Sequence, residues 1–119
     1  MTPACYVIAI HNILLFNNKF PNLNELDKIC KKIRVKGMHL GSAEHIILIL
    51  NKFGLKYEWF NGSKMKDSDN CYLLCNEKTW ISAIKNGNLM VISENNINVE
   101  YNNFVSFLKE NQFCGGFII

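Results

Sequence analysis

The chain has 119 residues, enough for one domain that buries a core without the support of disulfides or a metal. Hydrophobic residues make up 49% and charged residues 19%, a globular composition that excludes a disordered tail or a fibre. The net charge of +3 is small for a dedicated nucleic-acid-binding protein. No apolar run approaches the roughly 20 residues that a membrane-spanning helix needs, so we expect no membrane segment.

Cysteine usage and the first residues indicate the compartment. Five cysteines form an odd set without a dense framework, which favours reduced thiols over a secreted disulfide scaffold. Residues 1–3 lead directly into a predicted helix, without the basic region and apolar core of a signal peptide. We therefore expect a cytoplasmic protein. Its richness in Asn, Lys and Ile suggests an AT-rich coding genome, such as that of a low-GC bacterium or its phage.

The first predicted helix covers residues 3–16 and organises the rest of the chain. Thr2 is a suitable cap, and Pro3 suits the first helical position. Apolar residues fall on nearly every side of this helix, interrupted only by His11 and Asn12, so it should run through the middle of the domain. Cys5 lies in the first turn, where unpaired N–H groups and the helix dipole favour a thiolate.

Two further helices are predicted before the strands. One begins at Asn22 or Asn24 and is ended by Gly37, and the next begins at Ser42 and is capped by Gly54. The later elements are a strand at 55–60, a loop at 61–70, a strand at 71–75, a helix at 77–85, a strand at 89–92, a turn at 94–96, a helix at 101–110 and a strand at 115–119. Helices first and strands later predict a single α+β domain.

This order of elements resembles the papain-like peptidases that process bacteriocin leaders. The resemblance rests on Pro3-Ala4-Cys5 at the start of an apolar helix, on the Gly-Leu ending of residues 51–55, and on a helix-Gly-strand pattern at residues 80–92. It implies a papain-like fold, in which a central N-terminal helix packs on a small antiparallel sheet. It also implies that Cys5 occupies the position of the nucleophile at the tip of that helix.

The histidine of that family has no counterpart in this chain. It begins a late strand, and the nearest equivalent here, at residues 115–119, starts with Gly115. We therefore favour a degenerate domain that binds a protein or peptide partner as an inhibitor, adaptor or regulator. The alternative is an active thiol peptidase or hydrolase in which Cys5 attacks and His39 or His45 acts as the base.

Other residues allow ordinary structural interpretations beside the functional ones. Lys31, Lys32, Arg34 and Lys36 could contact a partner or phosphates, or could simply be a solvated helix end; this second alternative, a small nucleic-acid-binding module, is not favoured. Cys71 and Cys75 lie roughly 13 Å apart in a strand, too far for one ion, so no metal or other cofactor is expected. The pair at 115–116 resembles the double glycine of bacteriocin leaders, but close approach of backbones explains it equally well.

Overall fold

The computed structural model describes residues 3–19, 22–61, 71–77, 79–86, 88–92, 98–101, 112–113 and 115–119, with only the backbone given for 85–86, 88–92 and 98–101. Within these described ranges, three helices precede six strands, as expected for an α+β domain. They are α1 (Cys5–Phe16), α2 (Leu23–Lys32), α3 (Ala43–Lys52), β1 (Glu58–Asn61), β2 (Cys71–Cys75), β3 (Trp80–Asn86), β4 (Asn88–Ile92), β5 (Asn98–Tyr101) and β6 (Gly115–Ile118).

Helix α1 is the buried centre of the domain, as the sequence predicts. Seven of its twelve residues are buried, and it packs against α2 and against strands β2 and β3. Its start differs from the prediction, because Ala4 has an extended backbone and acts as the N-cap, which leaves Pro3 outside the helix. The Ala4 carbonyl accepts the N–H groups of Val7 and Ile8, so the first turn begins at Cys5. Thr2, the predicted cap, lies outside the described residues.

Helices α2 and α3 follow their predicted caps. The Asn22 side chain accepts the N–H groups of Asn24 and Glu25, and the Ser42 hydroxyl accepts the N–H of His45. Gly54 takes the positive φ of +67° that a left-handed C-terminal cap requires. Helix α2 ends at Lys32 rather than near Gly37, because Ile33 leaves the helical region with a ψ of 85°.

The six strands form one antiparallel sheet in the order β1-β6-β2-β3-β4-β5. The predicted strands at 71–75, 89–92 and 115–119 are confirmed, each within one residue at either end. Strand β1 begins at Glu58, three residues later than predicted, since Leu55 still closes α3 by donating its N–H to the carbonyl of Leu50. Asn61 belongs to β1, and the rest of the predicted loop at 61–70 lies outside the described residues.

The predicted helix at 77–85 is wrong, because this segment contains most of strand β3. The predicted helix-Gly-strand pattern at residues 80–92 is therefore a pair of strands, β3 and β4. Trp80 and Ile84 are four residues apart, a spacing that one side of a helix shares with one face of a strand. Ile81 and Ala83 are buried on the opposite face of the sheet. Because apolar residues cover both faces of β3, they do not alternate with polar ones, and the pattern imitates a helix.

A second predicted helix, at 101–110, is wrong at its first residue. Tyr101 ends strand β5, where it pairs with Leu89 of β4. The remaining residues of that predicted helix lie outside the described part of the chain, as does the predicted turn at 94–96.

Among the described residues, the sheet contributes to two buried clusters, one on each face. The face toward the helices supplies Leu73 and Phe117 to the main core, and the other face buries Phe60, Tyr72 and Leu74. Both glycines of the 115–116 pair lie at close backbone approaches. A Cβ on Gly115 would lie 2.6 Å from the carbonyl oxygen of Phe60, and one on Gly116 would collide with the carbonyl oxygen of Leu73. This geometry supports the strand interpretation of the pair.

Candidate functional site

Cys5 lies at the edge of a half-open cleft of about 580 Å³ at the N-terminal end of α1, here called the Cys5 cleft. The described residues that line it are Pro3, Ala4, Cys5, Tyr6, Asp27, Lys31, Leu40, Gly41, Asn76, Glu77, Thr79 and Trp80. They come from the start of α1, from α2, from the segment before α3 and from the start of β3. Cys5 is half-buried and is one of the residues that line this cleft.

One wall of the cleft is a tight turn before α3. The N–H of Ser42 donates to the carbonyl of His39 over 3.2 Å, and Gly41 has a φ of +81° while Leu40 keeps a negative φ. A four-residue turn with a positive φ only at its third position is type II. The Trp80 indole Nε1–H donates to the Gly41 carbonyl over 2.8 Å and thereby fixes this turn against the sheet.

The part of the cleft that α2 lines carries an ion pair. Lys31 Nζ lies 3.0 Å from Asp27 Oδ2, one helical turn apart on α2. Such an exposed pair stabilises the helix only weakly, by about 0.3–0.5 kcal/mol. Its consequence for the cleft is that the Lys31 cation and the Asp27 carboxylate largely neutralise one another.

His45, a predicted base for Cys5, is fully buried on α3 and does not line the cleft. Its Nδ1 accepts the N–H of Gly41 over 2.9 Å, and its Nε2 lies 2.6 Å from the Cys30 carbonyl. Because a backbone N–H can only donate and a carbonyl can only accept, the ring is neutral and carries its proton on Nε2. For His45 to accept a proton from Cys5, its bond with Gly41 would have to break.

His39, the other predicted base, is exposed at the first position of the type II turn and is not among the described residues that line the cleft. His11 is half-buried on α1 and does not line the cleft either. The structure therefore brings Cys5 into the cleft without an imidazole among the described lining residues. The roles of His39 and His45 as bases stay predictions.

The predicted basic set separates into two parts. Lys31 lines the cleft and pairs with Asp27, whereas Lys32, Arg34 and Lys36 are exposed at and beyond the end of α2. That exposure fits a solvated helix end as well as a contact surface, and contact with a partner or with nucleic acid stays a prediction.

The buried thiols differ from Cys5 in their surroundings. Burial, together with the nearby Asp27 carboxylate, raises the pKa of the Cys30 thiol to about 12. Burial raises the pKa of Cys71 to about 11. Cys75 is half-buried at the other end of β2, and its thiol donates to the Gly115 carbonyl. Within the described ranges, no three side chains of His, Cys, Asp or Glu are gathered around a point that could hold a metal ion.

Tyr6 lines the cleft and is also one of the buried residues of α1. Burial is the main cause that raises the pKa of this phenol to about 12, and the nearby Cys30 and Asp27 contribute. Its ring meets that of His45 edge-on, with centroids 5.4 Å apart, and a Cβ added at Gly41 would lie 3.0 Å from it. Tyr6 is therefore a neutral packing residue between the cleft and His45.

Fold and cleft together define an α+β domain with a solvent-accessible site at the N-terminal end of its central helix. No protein-family model matches the chain, no curated protein matches it in sequence, and no solved structure matches it. In the part of the chain that the structure describes, no helix has both the length and the apolar character to cross a bilayer.

Proposed function

We propose that the chain is a degenerate papain-like domain that binds a short segment of a protein or peptide partner in the Cys5 cleft. The observation behind this proposal is a cleft lined by a half-buried cysteine, with no imidazole among its described lining residues. Such a domain would act as an inhibitor, adaptor or regulator. The proposed location is the cytoplasm, for which the odd number of cysteines is the support.

The size and chemistry of the cleft fit a short peptide. Ligand sites in proteins typically enclose about 300–1,000 Å³ and are lined by apolar side chains with a few polar groups. The cleft of about 580 Å³ falls within that range, and Tyr6, Leu40 and Trp80 provide its apolar surface. Leu40 is 44% exposed, so a large apolar side chain is available to a ligand at the rim.

The same geometry gives little support for amide hydrolysis. A cysteine that attacks an amide needs a base within hydrogen-bond reach, and later a proton for the leaving amine. The Nδ1 lone pair of His45 is occupied by Gly41, and His39 is outside the described lining. Active thiol chemistry remains the second candidate, because Cys5 lines the cleft at the first turn of α1.

A displayed library of random peptides, selected on the immobilised chain, tests the binding proposal. The dissociation constant of a selected peptide is then measured for Leu40→Asp and for a matched control, Val35→Asp. Val35 is 60% exposed and is not among the described lining residues. We expect Leu40→Asp to weaken binding at least about tenfold, a loss of about 1.4 kcal/mol, and Val35→Asp to leave it nearly unchanged.

The selected peptide also separates binding from catalysis. If the domain only binds, mass spectrometry finds the peptide intact after long incubation, and Cys5→Ala retains most of the affinity. Cleavage by the native chain and none by Cys5→Ala would establish the peptidase instead. Equal affinities of the Leu40→Asp and Val35→Asp variants would place the binding site elsewhere.

A further inference from the structure

We propose that His45 is a proton-operated switch for the wall of the Cys5 cleft: uptake of a proton by its ring turns the Leu40–Gly41 peptide over. This inference rests on the proposed function only in assigning a ligand to the cleft. The switch itself follows from the type II turn and from the two hydrogen bonds of the His45 ring.

The neutral ring holds the turn in its present form. The Gly41 N–H points at Nδ1, and this bond requires a lone pair on that nitrogen. A second proton on the ring would occupy Nδ1 and would place two N–H donors against each other. His45 is fully buried, so water cannot replace the lost acceptor without movement of the surroundings.

The turn has an available second form. Type I and type II turns differ mainly in the orientation of their central peptide, and both retain the bond from the fourth N–H to the first carbonyl. If the Leu40–Gly41 peptide turns over, the Leu40 carbonyl takes the place of the Gly41 N–H and accepts from the protonated Nδ1. Gly41 permits this change because glycine adopts positive and negative φ with nearly equal ease.

Two of the groups around His45 are uncharged at ordinary pH, and one anion lies near both of them. Tyr6 on α1 and Cys30 on α2 are both uncharged, because burial raises the pKa of each to about 12. Asp27 lies close enough to affect both of these groups, although it is shared with Lys31. Arg34 adds a positive charge near Tyr6. Asp27 is therefore the anion beside the two residues, Tyr6 and Cys30, that contact the His45 ring.

The peptide flip changes the part of the cleft wall that two residues form. Leu40 and Gly41 both belong to its wall, and the flip reverses the donor and acceptor that their shared peptide presents. Trp80 holds the next carbonyl, that of Gly41, and anchors the turn during this change. A ligand that recognises the wall in one form is expected to bind the other more weakly.

Nuclear magnetic resonance of the free chain tests the switch between pH 8 and pH 5. At pH 8, the imidazole ¹⁵N signals should show the Nε2–H tautomer. As pH falls, the ring signals and the Gly41 amide should change together with one midpoint. In His45→Gln the amide oxygen can accept from Gly41 without titrating, so the Gly41 response should disappear, while it should persist in the matched control His39→Gln.

Three results would overturn the switch. They are an Nδ1–H tautomer at pH 8, a ring that stays neutral down to the pH of unfolding, and a Gly41 response that persists in His45→Gln. The first two use only the native chain, so they decide the question even if His45→Gln does not fold. None of these measurements needs a peptide, which keeps failure of the switch distinct from failure of the binding proposal.

The effect on binding is measured with the selected peptide. Between pH 7.5 and pH 5.5 its affinity for the native chain should change by about fivefold, a modest coupling between two sites. The affinity of the His45→Gln variant should not change in this range. An equal pH response of both chains would overturn the coupling to the cleft.

Discussion

The indole Nε1–H of Trp80 donates to the carbonyl oxygen of Gly41 over 2.8 Å, across 39 residues of sequence. This bond joins the start of β3 to the turn before α3, and both ends line the Cys5 cleft. The Trp80 ring also stacks on Phe117, with centroids 6.0 Å apart and an angle of 13° between the planes. The shape of the cleft therefore depends on a contact between the helical half of the domain and the sheet.

Replacement of Trp80 by Phe should separate these two contributions. Phenylalanine can still stack on Phe117 but leaves the Gly41 carbonyl without its donor. We expect the free energy of unfolding in urea to fall by about 1–2 kcal/mol. Trp59→Phe is the matched control, because Trp59 also contacts Phe117 but is 49% exposed. Equal losses in both variants would show that the Gly41 bond contributes nothing.

Gly41→Ala and Gly37→Ala form a second matched pair. Both glycines have a positive φ, +81° and +88°, which costs an alanine about 1–2 kcal/mol. A Cβ at Gly37 would meet nothing within 4 Å, whereas one at Gly41 would lie 3.0 Å from a ring carbon of Tyr6. We expect a loss about 1 kcal/mol larger for Gly41→Ala, measured by urea unfolding. A larger loss for Gly37→Ala would contradict the packing at Tyr6.

The helical half of this fold could be predicted because its signals are local. Asn22 and Ser42 each cap a helix through their own side chain, and Gly54 supplies a conformation that few other residues adopt. The burial of α1 was visible in the same way, since a helix without a broad polar face has to be covered on all sides.

The sheet was harder to predict because burial on both faces removes the alternation that marks a strand. Trp80, Ile81 and Ile84 satisfy a helical spacing, and only their pairing with β2 and β4 shows that the segment is extended. Such pairing depends on residues far away in sequence. The residues of the segment itself therefore contain no signal for this pairing.

Of the residues that line the cleft, only Cys5 and Lys31 were predicted as site residues. A thiol in the first turn of a helix is visible in the sequence, but Asp27, Gly41 and Trp80 reach the same cleft from separate elements. Sequence reasoning missed these three residues, and spacing along the chain does not show which turns meet. The hydrogen bonds that occupy the His45 ring could not be predicted from the sequence either.

Gly116→Ala should be the most damaging of the glycine substitutions. Its added methyl group would collide with the Leu73 carbonyl in the neighbouring strand, and a backbone atom cannot move aside as a flexible side chain can. We expect a loss of about 3 kcal/mol or more in the free energy of unfolding. Gly54→Ala is the control, since its Cβ would meet open space and only its positive φ is unfavourable. Similar melting temperatures for both variants would refute the close approach of β6 and β2.

Stability should fall at alkaline pH because of Cys30. Its pKa is raised from 9.0 to about 12 in the folded chain, mainly by burial. Above pH 9 the unfolded chain therefore loses the thiol proton while the folded chain retains it. The stabilisation is complete below pH 9 and is lost progressively as pH rises toward 12, by at most about 1.4 kcal/mol per pH unit. Cys71, whose pKa is raised from 9.0 to about 11, adds a loss that also begins near pH 9, and Tyr6, raised from 10.0 to about 12, adds one that develops mainly above pH 10.

Urea unfolding at pH 8, 9 and 10 measures this loss before Tyr6 contributes strongly. We expect Cys30→Ala to be less stable than the native chain at pH 8, because it leaves a cavity, and to lose less stability between pH 9 and pH 10. Ile29→Val, a neighbouring change on α2 without a titratable group, should retain the native slope. If the free energy of unfolding falls as steeply with pH in Cys30→Ala as in Ile29→Val, ionisation of the Cys30 thiol does not cause the loss. Other groups that resist ionisation in the folded chain would then be responsible.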